Sequence, residues 1–266
     1  MRQLKLAMRM LLRTPFVTAI AVASLGLGIG ANAAIFSLFN EILMQPLPVV
    51  EPGRLVNLGA PGPKPGSQSC SQAGDCDEVF SYLMFRDLER EQTSFTGIAA
   101  HQNFGVNLSV KNEPSTGSGF FVSGSYFPVL GIKAEVGRLL GPDDDKVIGA
   151  HFVTVLSYET WQERFGGDRS AVGQSIIVNG KTFEVIGVAP KGFRGTTLGN
   201  QPMLFVPLTM REVAARNFPA FENRRSYWAY LFGRLKPGVS IERPTRRSTR
   251  PTAASSLAWK RRCRRG

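Results

Sequence analysis

Charge is absent from residues 14–40, between Arg13 and Glu41. Phe16 to Phe39 is the apolar centre of this span, and eleven of its 24 residues are Leu, Ile, Val or Phe. A helix of that length reaches about 36 Å, enough to cross a hydrocarbon layer of about 30 Å with some tilt. Beyond it the pattern changes to short alternating and amphipathic runs. Residues 78–92 (EVFSYLMFRDLEREQ) predict a helix with apolar positions at 79, 83, 84 and 88. HFVTVLS (151–157) predicts a short buried strand, and SYETWQERF (157–165) an amphipathic helix with Ser157 as its N-cap and Gly166-Gly167 as its stop. QSIIVNGKTFEVIGV (174–188) predicts a hairpin, with Asn179-Gly180 as a two-residue turn that has both φ angles positive. MLFVPL (203–208) and SYWAYLFGRL (226–235) predict further strands. Helices and strands mix without a regular βα repeat. The expected architecture is an α+β domain preceded by one transmembrane α-helix.

Charge refines this division. The net charge is +12, but it is concentrated at the two ends. Residues 1–13 carry Arg2, Lys5, Arg9 and Arg13 and no acid; residues 243–266 carry nine basic groups and no acid. Residues 45–241 carry 19 basic and 18 acidic groups. A nearly neutral body lacks the clustered cations that phosphate binding needs, so nucleic acid is not an expected partner. The basic residues at 2, 5, 9 and 13 share one face of a helix. Residues 1–13 therefore read as an amphipathic helix on the cytoplasmic surface, residues 14–44 as the membrane helix, 45–242 as the body and 243–266 as a basic tail. The positive-inside rule puts the N-terminus in the cytoplasm and the body outside it.

SLGLGIGANAAIF (24–36) admits other readings. A dinucleotide loop needs a second strand soon after its helix, and the chain instead runs into Gln-Pro-Leu-Pro. Ala31-Asn32-Ala33 resembles a signal-peptidase site, but the apolar run continues past it. In the membrane reading, Gly26 and Gly30 are the candidate helix-packing positions.

Chemistry is sparse. Gly180-Lys181-Thr182 lacks the glycine a phosphate loop needs at 175, which is Ser. His101 and His151 read as surface or packing residues at strand ends, and Asp143-Asp144-Asp145 as a solvated acidic loop. No catalytic residue, cofactor-binding residue or metal ligand is nominated, and the chain is not expected to be an enzyme. Cys70 and Cys76 lie in one Gly/Ser/Pro-rich loop. Outside the cytoplasm they form a candidate disulfide; the alternative is two free thiols.

Taken in order, several stretches resemble one family. They are RMLLRTPFVTAIAVASLGLGIGANAAIFSLFNEILMQPLP, RLVNL, FSYLMFRDLEREQTSFTGIAA, FFVSGSYFPVLGIKAEVGRLL, VTVLSYETWQERFGGDRSAVGQSIIVNGKTFEVIGVAPKGFRG, LFVPL and GRLKPGVS, between residues 9 and 241. The order resembles the permease subunits of MacB/FtsX-type ABC transporters and their MacB-like periplasmic core domain. The resemblance implies an inner-membrane subunit that couples a cytoplasmic ABC ATPase to a periplasmic domain, in export or mechanotransmission. It implies ATP on that separate partner and none in this chain, the lipid membrane as a partner, and association with a second permease copy. It also implies three further membrane helices after the core. The tail RPTRRSTRPTAASSLAWKRRCRRG does not match that continuation, and reads as the product of a frameshift near residue 243. If the tail is genuine, the alternative is a single-span periplasmic binding or sensor module. A third reading is an exported soluble enzyme released after Ala33.

Overall fold

The computed structural model describes residues 15–39, 48–70, 74–215 and 221–239. The amphipathic segment 1–13 and the tail 243–266 lie outside the described residues. The chain divides into two units, Met1–Lys236 and Pro237–Gly266, and the first holds every element named below. Helix α1 (Pro15–Phe39) contains a stretch, Thr18–Ser37, long and apolar enough to cross a membrane. Large apolar residues such as Phe16, Leu25, Leu27 and Phe36 are exposed along it.

The body carries strands β1 (Leu55–Asn57), β2 (Ser67–Gln68) and β3 (Val79–Phe80), then helix α2 (Tyr82–Glu91). Next come β4 (Phe95–Val110), β5 (Glu113–Val122), helix α3 (Tyr126–Leu130), β6 (Val136–Gly137) and β7 (Val153–Leu156). Helix α4 (Tyr158–Phe165), β8 (Ser175–Val178), β9 (Lys181–Val188) and β10 (Pro202–Pro207) follow. Helix α5 (Arg211–Ala214), β11 (Ser226–Tyr227) and β12 (Ala229–Leu235) complete the set. This is an α+β domain behind an apolar helix.

Ten of the described strands join in one sheet, ordered β1-β12-β4-β5-β10-β7-β9-β6. β3 pairs with β12, and β8 pairs with both β4 and β9. The second pairing of β8 closes a circuit: β4, β5, β10, β7, β9 and β8 are hydrogen-bonded in a ring. Within it β5 runs parallel to β10 and β7 parallel to β9, while the other neighbours are antiparallel. One core cluster takes Val106, Leu108, Phe121, Leu156, Ile176, Val178, Phe183, Val185, Leu204 and Val206 from all six strands. A second takes Phe120, Val155, Phe205 and Phe232 with Tyr126, Phe127 and Leu130 of α3. Phe120 and Phe121 are consecutive and serve opposite faces, as a two-residue side-chain period requires. Full burial of such side chains is worth about 1.5–3 kcal/mol each.

Local signals account for several element ends. Ser157 Oγ accepts from the Thr160 N–H at 3.2 Å, and Gly166 closes α4 in the left-handed region at φ 62°. Asn179 and Gly180 turn the β8–β9 hairpin at φ 49° and 79°. At the β6–β9 pairing Gly137 stands opposite Gly187, and a Cβ on either would strike backbone oxygen of the other strand's segment.

The helix expected over 78–92 is shorter than its pattern. Residues 76–78 form a 3-10 turn, 79–80 pair with β12, and Ser81 caps a helix that starts at Tyr82. Val79 is buried as a strand residue, and the helix buries Tyr82 and Phe85 instead.

Candidate functional site

The chain enters and leaves the body side by side. β1 lies antiparallel to β12, with Leu55 opposite Arg234 and Asn57 opposite Phe232. The Leu58 N–H extends this pairing to Leu231 O at 2.9 Å. Two arginines fasten the junction. Arg54 donates from Nε and Nη2 to Leu235 O at 3.1 and 2.5 Å, and from Nη1 to Glu51 Oε2 at 2.5 Å. Buried Arg234 donates from Nε to Val129 O at 2.7 Å, from Nη2 to Leu130 O at 3.2 Å and from Nη1 to Glu51 O at 3.3 Å. Val129 and Leu130 end α3, whose last carbonyls have no intrahelical partner, and a cation there is doubly favoured. Burial, and then the Arg54 charge, lower the pKa of Arg234, while Glu51 opposes them. Glu51 takes a left-handed backbone, φ 44°, a conformation that costs a non-glycine residue about 1 kcal/mol or more. One guanidinium thus joins the entering segment, the exiting strand and α3.

Buried polar groups brace the rest of the body. Arg138 grips Asp144 with two bonds of 2.6 and 2.8 Å, and the Gly141 N–H adds a third at 2.9 Å. Burial alone would raise the Asp144 carboxyl; the Arg138 and Gly141 hydrogen bonds outweigh it and hold the pKa below the usual range. Asp145 accepts from the Gly124 N–H at 3.1 Å and the Thr209 N–H at 2.8 Å, tying the turn before α3 to the turn after β10. Its burial pushes the pKa up despite these bonds. Asp144 and Asp145 are therefore internal cross-links, and the expected solvated loop is corrected: only Asp143 of the three is exposed. Arg211 donates to Gln102 Oε1 at 2.6 Å and lies 4.2 Å from the centre of the Trp228 ring. Its burial lowers the pKa to about 10.

His101 sits in mid-strand, opposite Tyr230 on one side and Val122 on the other, and not at a strand end. Phe120, Tyr126, Tyr230 and Phe232 surround its ring at 5.8–6.1 Å. Burial lowers its pKa to about 4, so the imidazole is neutral at pH 7. His151 lies just before β7 and accepts from the Val147 N–H at 3.3 Å.

The nominated positions fall as follows. Gly26 and Gly30 lie on α1, where an added Cβ would meet nothing within 4 Å; no helix packs on them among the described residues. Cys70 and Cys76 are joined by a disulfide with their Cα atoms 5.1 Å apart. The segment they close is anchored on both sides. The Ser69 N–H donates to Tyr227 O at 2.8 Å, Tyr230 Oη to Gly74 O at 2.9 Å, and Lys64 Nζ to Cys76 O and Val79 O at 2.8 and 2.9 Å. Gly180-Lys181-Thr182 is a hairpin turn, not a strand-to-helix loop. Arg54 and Arg234 were not nominated from sequence. Their long-range partners lie more than 100 residues away, and the local hint is one cation inside the apolar run of β12 and one just before β1. No group of three His, Cys, Asp or Glu suited to a metal ion occurs among the described residues.

An apolar helix leading into a cross-braced α+β domain, with its chain ends paired, defines the class: a domain carried on a candidate membrane helix. The family model of the MacB-like periplasmic core domain matches residues 18–247. The chain belongs to this family, the periplasmic domain of ABC-type transporter permeases. Among solved structures it is similar to the periplasmic region of MacB from Actinobacillus actinomycetemcomitans, at 20% identity over 68% of this chain and 70% of that one, TM-score 0.48. It is also similar to the extracellular domain of the noncanonic ABC-type transporter YknZ from Gram-positive bacteria, at 16% identity over 60% and 75% of the two chains, TM-score 0.45. No curated protein matches the sequence significantly.

Proposed function

We propose that this chain is a membrane-anchored, non-catalytic permease segment that conveys motion from a cytoplasmic ABC ATPase to a domain outside the cytoplasm. ATP is bound and hydrolysed by the partner. α1 anchors the chain in the inner membrane with its basic N-terminus inside, and Gly26 and Gly30 let a neighbouring membrane helix, from this or a second permease copy, approach closely. One observation carries the reading: the junction of β1 with β12. A displacement of the segment next to α1 reaches β1, and β1 is held to β12 and α3 through Arg54 and Arg234. The bracing by Asp144, Asp145 and the closed ring of strands lets the body move as one piece.

The test reconstitutes the permease with its ATPase in lipid nanodiscs. A dye on Lys191→Cys and labelled lipid headgroups report the height of the body above the membrane by energy transfer. ATP shifts that signal in the native protein; in Arg234→Ala hydrolysis continues and the shift shrinks. An ATP-driven shift of native size in Arg234→Ala would refute the proposed route.

A further inference from the structure

The strand ring closes through a narrow seam. β8 pairs with β4 at two positions, Leu108 with Val178 and Ser109 with Ile177. One position further, the hairpin turns at Asn179-Gly180, both at positive φ. The Asn179 N–H still donates to Asn107 O at 2.9 Å, as an antiparallel ladder requires. The return bond is made by a side chain: the Asn107 N–H donates to Asn179 Oδ1 at 2.7 Å. Asn179 Nδ2 donates to Gly105 O, two residues along the same edge of β4, at 3.0 Å, and to Ala214 O at the end of α5 at 2.8 Å. Both amide hydrogens and the amide oxygen are thus engaged. The partners also fix which way the group points, because Gly105 O and Ala214 O can only accept and the Asn107 N–H can only donate. One carboxamide extends the seam along β4 and fastens it to α5.

Asn179-Gly180 is also the one Asn-Gly pair in the sequence. In such a pair the glycine nitrogen, unshielded by a side chain, attacks the asparagine Cγ. The N–Cγ bond forms, the amide nitrogen leaves as ammonia with the glycine's proton, and water opens the resulting imide to aspartate or isoaspartate. One water enters, one ammonia leaves, and nothing is oxidised or reduced. Gly180 is exposed and Asn179 half-buried, so water reaches the turn. The carboxamide, however, must swing off β4 before the Gly180 nitrogen can meet it, and that breaks all three of its bonds. After the reaction a carboxylate oxygen replaces Nδ2 and faces Gly105 O and Ala214 O, acceptor against acceptor.

We propose that Asn179 is a spontaneous deamidation site guarded by its own hydrogen bonds: the modification waits on release of the latch, and once made it leaves the β4–β8 seam open. The inference does not depend on the coupling route through Arg234.

The test incubates the full chain in nanodiscs at mildly alkaline pH and follows the turn by peptide mapping and mass spectrometry, scoring aspartate and isoaspartate at this position. In the folded chain Asn179 reacts at least about thirtyfold more slowly than in the same chain in denaturing urea, because three bonds must first break. The rate climbs through urea concentrations too low to unfold the body. Asn179→Asp, which installs the product, speeds hydrogen exchange at least about tenfold within 105–109 and 175–179, while β12 keeps its native rates. Asn179→Gly keeps the positive-φ turn, removes the carboxamide and opens the same two regions; should Asn179→Asp fail to fold, this variant decides. Equal deamidation rates in the folded and unfolded chain, or no reaction at 179 in urea just below the unfolding midpoint, would overturn the guarded site. Native exchange rates in both regions of either variant would overturn the latch.

Discussion

Replacing Arg234 with alanine removes the group that joins three parts of the body. The side chain is buried and holds Val129 O, Leu130 O and Glu51 O. Hydrogen bonds to a charged group contribute about 1.5–3 kcal/mol net, and carbonyls left buried without donors cost more. Of the three bonds, that at 2.7 Å is the strong one and those at 3.2 and 3.3 Å are weaker. A local loss of about 2–3 kcal/mol follows, or about 30- to 150-fold in an opening equilibrium. Arg54 still holds Leu235 O, so β1 remains attached but less firmly. Native-state hydrogen exchange on the full chain in nanodiscs reads this by region. Amides within 48–58 and 126–132 exchange faster by that factor, while those of β9 and β10 keep their native rates. Uniform acceleration across the body would mean that Arg234 supports global folding and not the junction. Unchanged rates near β1 would refute the clamp altogether.

His101 has a folded pKa of about 4 against an ordinary value of 6.5, so the unfolded chain binds the extra proton first. Its contribution is complete above pH 6.5 and is lost as pH falls through about 4, by up to about 3 kcal/mol; His101→Phe flattens that part of the pH–stability curve. Asp145→Ala leaves the Gly124 and Thr209 N–H groups without acceptors, and chemical denaturation should show a loss of about 2–3 kcal/mol. Cys70→Ser opens the disulfide-closed segment. Limited proteolysis by a protease of broad specificity between Gly66 and Glu78 then quickens severalfold, while the melting temperature of the strand ring stays close to native.

Local signals made part of this fold legible. The cap at Ser157, the stop at Gly166 and the Asn179-Gly180 turn each depend on a few neighbouring residues, and each lies where the sequence places it. The α+β class followed from the irregular order of helical and alternating segments. The β4–β5 hairpin, the longest among the described residues, carries a weaker local signal. Val106, Leu108 and Val110 alternate with polar residues, but the turn is Lys111-Asn112, both at positive φ, without the glycine that marks such turns. Residues 79–80 look helical because apolar positions continue through Ser81, whose capping oxygen marks the true start. The acidic run at 143–145 resembles a solvated loop until Arg138, Gly124 and Thr209 are brought to it. Such contacts are tertiary, and so is the clamp at Arg54 and Arg234.

The account rests on a body outside the cytoplasm, tethered by α1. Labelling of one added cysteine with a membrane-impermeant maleimide tests it most directly, on unreduced spheroplasts, in a Cys263→Ser background where Cys70 and Cys76 are held in their disulfide. The account predicts that Lys191→Cys labels on intact spheroplasts and Lys5→Cys only after lysis, with the chain retained in the membrane after alkaline carbonate. Labelling at residue 5 but not at residue 191 on intact spheroplasts, or release of the chain into the soluble fraction, would contradict it.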